Sequence, residues 1–384
     1  MYNLDSHYQN ILELTKGIIA DCKVIYLHPF GTSQPENIES IDFVDGHSEG
    51  GLIIAYDQEP LNSVYNKYLF DEMLSTYKDK QGHNRQPLIL LSTERRSKEK
   101  DILLQRYIAN DVNYFFHAFA ASDWYRGYRF NKSITSPSSR KLSKKYISFN
   151  RITGNSRVYR SLLVAGLQKR GIINDGYISY SEICPVHEES YKDTIIKHRK
   201  KFNLDHQYVS ESIQSLDNVI HPLRIDHLDK ETVQNESFSL GPIENLMSSF
   251  LHVVTETMFW DNRTHLTEKI FKPIVAKQPF ILVGCANNLS YLKSYGFKTF
   301  DRWWDESYDK IFDPVERLNA IADTIEKLCR ENSLEDLEQM LSDMESVLEY
   351  NYNWFYNPEF LEKCWKELEV NLSRFGSQPL DHTS

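Results

Sequence analysis

Short apolar runs alternate with helical periodicity along most of the chain. Lys23–Leu27 (KVIYL), Leu52–Tyr56 (LIIAY), Leu88–Ser92 (LILLS) and Val112–Phe116 (VNYFF) are rich in β-branched, leucine or aromatic side chains. Runs of about five such residues without strict alternation predict strands covered on both faces. Helical spacing lies between some of them, at Lys98–Ile108 and Ser63–Tyr77. Asn131–Lys145 (NKSITSPSSRKLSKK) is polar and rich in Ser and Lys, and predicts an exposed linker. A second series follows. Lys145–Phe149 predicts a strand and Ser156–Arg170 a helix stopped by Gly171. Tyr177–Tyr180 predicts a strand and Glu189–Lys201 a charged helix. Leu251–Val254, Thr267–Ala276 and Phe280–Val283 read strand, helix, strand. Asp205–Ser239 yields no clear period. From Pro314 the spacing is helical almost to the end, broken near Asn351–Pro358.

Strands alternating with helices predict an α/β fold of the doubly wound kind. Two such series joined by a polar linker predict two α/β domains with a cleft between them, residues 1–143 and 144–355. Residues 356–384 are expected to form a C-terminal helix. Ligands of such folds sit outside the carboxyl ends of the strands, so the loops there hold the candidate chemistry.

Composition narrows the class. The chain has 384 residues and a formal net charge of −10. With a mean hydropathy of −0.51 and no apolar run near the ~18 residues a bilayer requires, no membrane span is expected. No basic start and apolar middle mark a secretory leader, so the expected location is cytoplasmic, or host cytoplasm for a viral protein. The five cysteines are scattered and lack a C-x-x-C, which predicts neither a disulfide framework nor a zinc site.

The densest candidate chemistry is Leu251–Gly284. Thr267 is placed to cap a helix carrying Glu268 and Lys269 in its first turn. Unpaired N–H groups and Lys269 there suit an anion, and Glu268 suits vicinal hydroxyls. Phosphate plus diol is what a nucleotide presents. Past the first-domain strands, Asp57, Glu59 and Glu94 are candidate general bases for an acceptor hydroxyl, Asp57 first among them. His28 and Gly31 end the first strand. His252 and His265 flank the Thr267 segment without metal-ligand spacing, so no metal site is expected.

The run Thr267-Glu268-Lys269-Ile270-Phe271, followed by Pro279-Phe280-Ile281-Leu282-Val283-Gly284, resembles the donor-binding motif of the α-1,3-fucosyltransferase family. Glu256 matches that motif's upstream acid, with a slightly longer gap. Ile147-Ser148-Phe149-Asn150-Arg151, with Arg157 beyond it, resembles the family's strand ending in Ser-Asn and its following arginine. The likeness covers roughly 145–299. It implies a glycosyltransferase of GT-B architecture, two Rossmann-like domains facing across a cleft, with the last helix crossing back to the first domain. It implies that Arg157 and Lys269 contact the diphosphate of a UDP- or GDP-sugar, Glu268 the ribose, and Glu256 the sugar or ribose. Asn150 and Thr267 complete that site, and Arg151 is added from its place at the strand end. The chain lacks Asp-x-Asp, so the leaving charge is expected to be met by side chains without an obligatory metal.

Basic residues interleave with rings in Ser122–Lys132, where Arg126, Arg129 and Lys132 sit among Trp124, Tyr125, Tyr128 and Phe130. With Arg95, Arg96 and Arg140 they form a candidate nucleic-acid surface. Some viral glycosyltransferases decorate hydroxymethylated bases, so double-stranded DNA carrying 5-hydroxymethylcytosine is the candidate acceptor. A glycan acceptor and a non-catalytic nucleotide- or DNA-binding protein are the alternatives.

Overall fold

A computed structural model describes residues 4–19, 23–26, 52–62, 67, 70–71, 88–107, 109–220, 223, 225 and 239–376. The chain packs as two compact units, each α/β. One draws on Met1–Asp123, Arg263–His265 and Pro358–Ser384, the other on Trp124–Asn262 and Leu266–Asn357.

In the first unit, strands β1 (Lys23–Tyr26), β2 (Leu52–Tyr56), β3 (Leu88–Ser92) and β4 (Ala109–Asn113) form a parallel sheet in the order β1-β2-β3-β4. Ile54 pairs with Leu90, and Leu90 with Asp111. Ile53, Ile54, Ile89, Leu90, Leu91 and Val112 are buried, as the apolar runs require. The fourth strand stops at Asn113, and Phe116 opens a helix, Phe116–Trp124, instead of ending a strand. That helix is apolar nearly all round, so its sequence lacks the one-sided stripe that marks a surface helix. Helices Leu4–Ile18 and Pro358–Gly376 pack together, and the latter also lies on β4. The helix expected at 63–77 falls largely outside the described residues, as do His28 and Gly31.

In the second unit, β5 (Lys144–Asn150), β6 (Gly176–Tyr180), β7 (Ser249–Thr255) and β8 (Phe280–Val283) are parallel in the order β6-β5-β7-β8. The chain leaves β5 to one side for β6, then returns to the other side for β7. The strand order therefore reverses between β5 and β7. Helix Tyr159–Lys169 ends in a Schellman turn: Gly171 has φ +69°, its N–H bonds Gln168, and that of Ile172 bonds Leu167. The unassigned stretch after Asp205 holds helix His206–Asp217, capped by the Asp205 carboxylate. The expected linker is anchored. Pro137, Arg140 and Leu142 are buried, and the Leu142 N–H donates to Glu338 at 2.9 Å. At the tail, helix Glu345–Phe355 runs through Asn351, so the break comes after Phe355.

No helix among the described residues is long and apolar enough to cross a membrane.

Candidate functional site

Open α/β sheets bind ligands outside the carboxyl ends of their strands where the strand order reverses. In the second unit that point lies between the ends of β5 and β7. Asn150 is the last residue of β5, and Glu256 follows β7 directly. Asn150 is buried. Its amide N–H donates to Ser148 Oγ at 2.8 Å, while Oδ1 accepts no hydrogen bond among the described residues. An orphaned buried acceptor at a strand end calls for a ligand or water partner.

Glu256 is fully buried, and its carboxylate is committed to its own chain. It accepts from the Thr267 hydroxyl, the Thr267 N–H at 3.3 Å and the Thr257 N–H at 3.3 Å. Burial pushes its pKa up, opposed by the nearby charge of Lys269. Through these bonds Glu256 fastens the Thr267 turn to the end of β7.

That turn presents the next two residues. Thr267 caps it, its hydroxyl accepting from the Lys269 N–H. Lys269 Nζ lies 3.1 Å from Thr257 Oγ1, 3.4 Å from Thr267 Oγ1 and 2.9 Å from Glu268 Oε1. Lys269 keeps 31% of its side chain exposed and Glu268 14%. The expected helix over 267–276 is a 3₁₀ turn, Glu268–Ile270, followed by a short α-helix, Phe271–Val275. So short an element carries little macrodipole, and the positive charge here belongs to Lys269.

Across the switch point, Arg157 sits half-buried on the 3₁₀ turn Asn155–Val158. The turn follows Gly154, where a Cβ would come within 2.3 Å of the His187 ring, so any larger residue would have to displace that side chain. Arg151 is also half-buried, at the start of the same loop.

Two buried arginines that the sequence did not single out set these loops. Arg160 donates to the carbonyls of Ile152 (3.0 Å), Thr255 (3.0 Å) and Glu256 (3.1 Å), tying the loop after β5 to the end of β7. The Tyr159 hydroxyl also donates to the Glu256 carbonyl. Arg317 donates to the carbonyls of Gly284 (3.1 Å), Ile311 (2.7 Å) and Phe259, tying the end of β8 to the loop after β7. Their partners are backbone oxygens, which carry no side-chain signature in a sequence.

No protein-family model, curated protein or solved structure matches the chain. What the site can do is read from its own side chains: a partly exposed lysine beside a carboxylate on the turn after β7, an amide oxygen without a hydrogen bond among the described residues at the end of β5, and a half-buried arginine on the turn that follows β5.

The first-unit candidates differ sharply. Asp57, just past β2, is only 1% exposed and accepts from the Tyr114 hydroxyl at 2.7 Å. That hydroxyl lies 3.1 Å from His7 Nε2. Burial raises the Asp57 pKa from 3.8 to about 7. Glu94, past β3, is fully buried. It accepts from the Arg263 guanidinium and from the Leu61 N–H at 2.8 Å. Its carboxylate holds Arg263 in the unit's core. Glu59 is half-buried on the loop beyond Asp57. His265 faces His117 in the same unit, with ring centroids 5.5 Å apart. His252 is buried in β7 of the other unit.

Of the candidate nucleic-acid residues, Arg95 and Arg96 belong to the first unit; Arg126, Arg129, Lys132 and Arg140 belong to the second. Arg140 is buried and donates to the carbonyls of Thr135 (2.9 Å) and Ala276 (2.7 Å), so it is a packing residue and not a phosphate contact. Arg95 is paired with Glu367. Lys141 pairs with Glu338 at 2.8 Å, and Lys144 and Lys145 donate to backbone carbonyls. Arg126 and Lys132 are exposed, and Phe130 is 85% exposed with the Arg129 guanidinium over its ring.

Proposed function

We propose that the chain is a glycosyltransferase that moves a sugar from a nucleotide-diphosphate sugar to an acceptor hydroxyl. The observation that carries this reading is the constellation at the β5–β7 switch point: Asn150, Arg157, Glu268 and Lys269, fastened by Glu256 and Thr267. In this reading Lys269 and Arg157 meet the charge that develops on the departing diphosphate. Glu268 accepts from the ribose hydroxyls, and Asn150 Oδ1 accepts from a hydroxyl of the donor. Asp57 takes the proton of the attacking acceptor; a carboxyl that titrates near neutrality suits a general base. The GT-B arrangement of two facing units belongs to the same proposal. So does transfer without an obligatory metal, because the two cations do the work of a divalent ion at the leaving group.

The acceptor we favour is a glycan hydroxyl, because Arg140 and Lys145 are engaged by backbone carbonyls within the protein. Hydroxymethylated DNA is the other reading, resting on Arg126, Arg129 and Lys132 around Phe130.

A thermal-shift series with UDP, GDP and their sugars, with and without EDTA, tests the donor site. A nucleotide that binds the native state raises the melting temperature. We expect a shift with one nucleotide that EDTA leaves unchanged and that Lys269→Ala abolishes together with transfer. A shift without transfer to any acceptor would leave a nucleotide-binding protein, and an undiminished shift in Lys269→Ala would remove the assignment. Transfer to DNA that falls steeply with salt would restore the DNA reading.

A further inference from the structure

The first unit holds a hydrogen-bond chain of which the proposed reaction uses only one end. Strands β2, β3 and β4 run side by side, with Tyr56 opposite Ser92 and Ser92 opposite Asn113. Asp57, Thr93 and Tyr114 therefore form a row one residue past the three strands. The Tyr114 N–H continues the ladder, donating to the Ser92 carbonyl at 3.1 Å. The Tyr114 side chain spans the middle strand, about 10 Å for two strand spacings, and donates to Asp57 Oδ2 at 2.7 Å. Asp57 Oδ1 takes no hydrogen bond from another residue among those described. Thr93 is buried, and its hydroxyl has no hydrogen-bond partner among the described residues, a lack that water or a substrate hydroxyl can fill.

The far end of the chain is His7, on helix Leu4–Ile18, with Nε2 3.1 Å from the Tyr114 hydroxyl. Phe116, Phe119 and Trp365 lie around its ring at centroid distances of 5.7, 4.8 and 5.7 Å. Burial pushes His7 down to about 3, so the ring is neutral and carries one N–H. Tyr114 has a single hydrogen, spent on the carboxylate, so the hydrogen between Tyr114 and His7 is the one on Nε2. With His7 donating to it, the phenol keeps its own hydrogen for Asp57. The chain runs one way, from His7 through Tyr114 to Asp57, and each bond polarises the next.

We propose that Tyr114, oriented by His7, is a positioning residue that keeps the buried Asp57 carboxylate ionised and leaves Oδ1 as the oxygen that takes the acceptor's proton. The inference rests on the reading above that Asp57 is the general base. Burial alone favours the neutral acid, which cannot accept a proton, and a hydrogen bond donated to the carboxylate opposes this. Among the described residues no other titratable side chain takes that part. Glu94, past the neighbouring strand, is paired with Arg263, Lys100 with Asp111, and Glu367 of helix Pro358–Gly376 with Arg95. On the helix of His7, Glu13 accepts from Gln9. In the transfer step the acceptor oxygen bonds to the anomeric carbon as its O–H breaks, and the proton passes to Asp57 Oδ1. The bond to the diphosphate breaks with its electron pair left on the phosphate oxygen.

The test uses the full chain with UDP-glucose and GDP-fucose, water serving as the acceptor, and follows nucleotide release against pH. Carboxyl carbon NMR measures the Asp57 titration directly, with its signal identified by Asp57→Asn. Tyr114→Phe is expected to move the Asp57 midpoint up by about one pH unit and the acid limb of the rate profile with it. At pH 7 the rate should then fall about fivefold and recover by about pH 9. His7→Phe, which leaves the Tyr114 bond in place, should shift both in the same direction by less, and it carries the comparison if Tyr114→Phe does not fold. An unmoved midpoint, or a rate lowered equally at every pH, would overturn the proposal alone and leave Tyr114 a core residue. A midpoint that moves without the acid limb would make another group the base, as would an undiminished rate in Asp57→Asn; the Asp57 reading would fall and the proposal with it. A wild type that released nucleotide from neither sugar at any pH would remove the transfer reading and, with it, the proposal.

Discussion

At the residue scale, Asp57 shows how environment separates side chains that look alike in a sequence. Asp57, Glu59 and Glu94 all follow buried strands, and spacing alone makes them equivalent. What distinguishes them are partners distant in the chain: Tyr114 for Asp57 and Arg263 for Glu94. The Asp57 carboxyl is raised from 3.8 to about 7 because burial outweighs the Tyr114 hydrogen bond. His7, at the other end of that hydrogen-bond chain, is pushed down to about 3 by burial. An acid raised in this way binds more protons folded than unfolded between about pH 4 and 7, so its contribution to stability falls as pH rises through that window. His7 acts in the opposite sense. It stays neutral when folded and is protonated when unfolded below about pH 6.5, so its contribution is lost as pH falls towards about 3. The two slopes offset each other in the wild type, and Asp57→Asn removes one. Relative to wild type the variant should gain stability steadily from pH 4 to pH 8, by a total of about 4 kcal/mol. Urea unfolding of both proteins across that range measures the difference. A constant offset would mean that Asp57 keeps an ordinary carboxylate pKa.

At the scale of elements, most strands were legible because they are short apolar runs, and β2 and β3 match theirs residue for residue; β4 was displaced, because its residues 109–113 (ANDVN) are mostly polar and the apolar run expected there begins only at Val112. The helices that escaped notice did so for physical reasons. Phe116–Trp124 lacks a polar face, and His206–Asp217 carries polar residues between its few buried ones, Val209, Ser212 and Leu216. In the candidate site, the residue types of the Thr267 turn were legible, but the direction of Glu256 was not. Its carboxylate turns inward to Thr267 because that turn's N–H and hydroxyl need an acceptor. Arg160 was invisible for a related reason, since it binds three carbonyls. Those carbonyls make it the part that holds two loops at the switch point. Arg160→Met should therefore lower stability by about 2–4 kcal/mol, as buried oxygens lose their donor, and should weaken nucleotide binding as well. Lys269→Ala removes a partly exposed cation and should weaken nucleotide binding with stability nearly unchanged. Denaturant unfolding beside nucleotide titration separates the two. A stable Arg160→Met protein with full affinity would show that the loops hold their places without it.

At the scale of the whole molecule, the first unit is assembled from three stretches of chain. Helix Pro358–Gly376 supplies one side of its core through Phe360, Cys364, Leu368 and Leu372, all buried. Asn371 donates to the Asn113 carbonyl at 2.7 Å, fixing the helix to the end of β4. The second unit closes its core at Phe355, before that helix begins. A charge placed under the helix should consequently act on one unit. Leu368→Asp buries an unpaired carboxylate and should cost the first unit about 4 kcal/mol or more, the range of exceptional core substitutions. Regions of one chain can open with different free energies, and amide hydrogen exchange resolves them. Protection should collapse at Ile53, Leu90 and Val112 while Ile147, Val253 and Ile281 keep theirs. Nucleotide binding, if it belongs to the β5–β7 switch point, should survive in the same variant. Uniform loss of protection in both sheets would instead mean that the two units unfold as one cooperative body, and nucleotide affinity would then fall with it. The paired readouts therefore report both how the chain divides its stability and which unit carries the donor site.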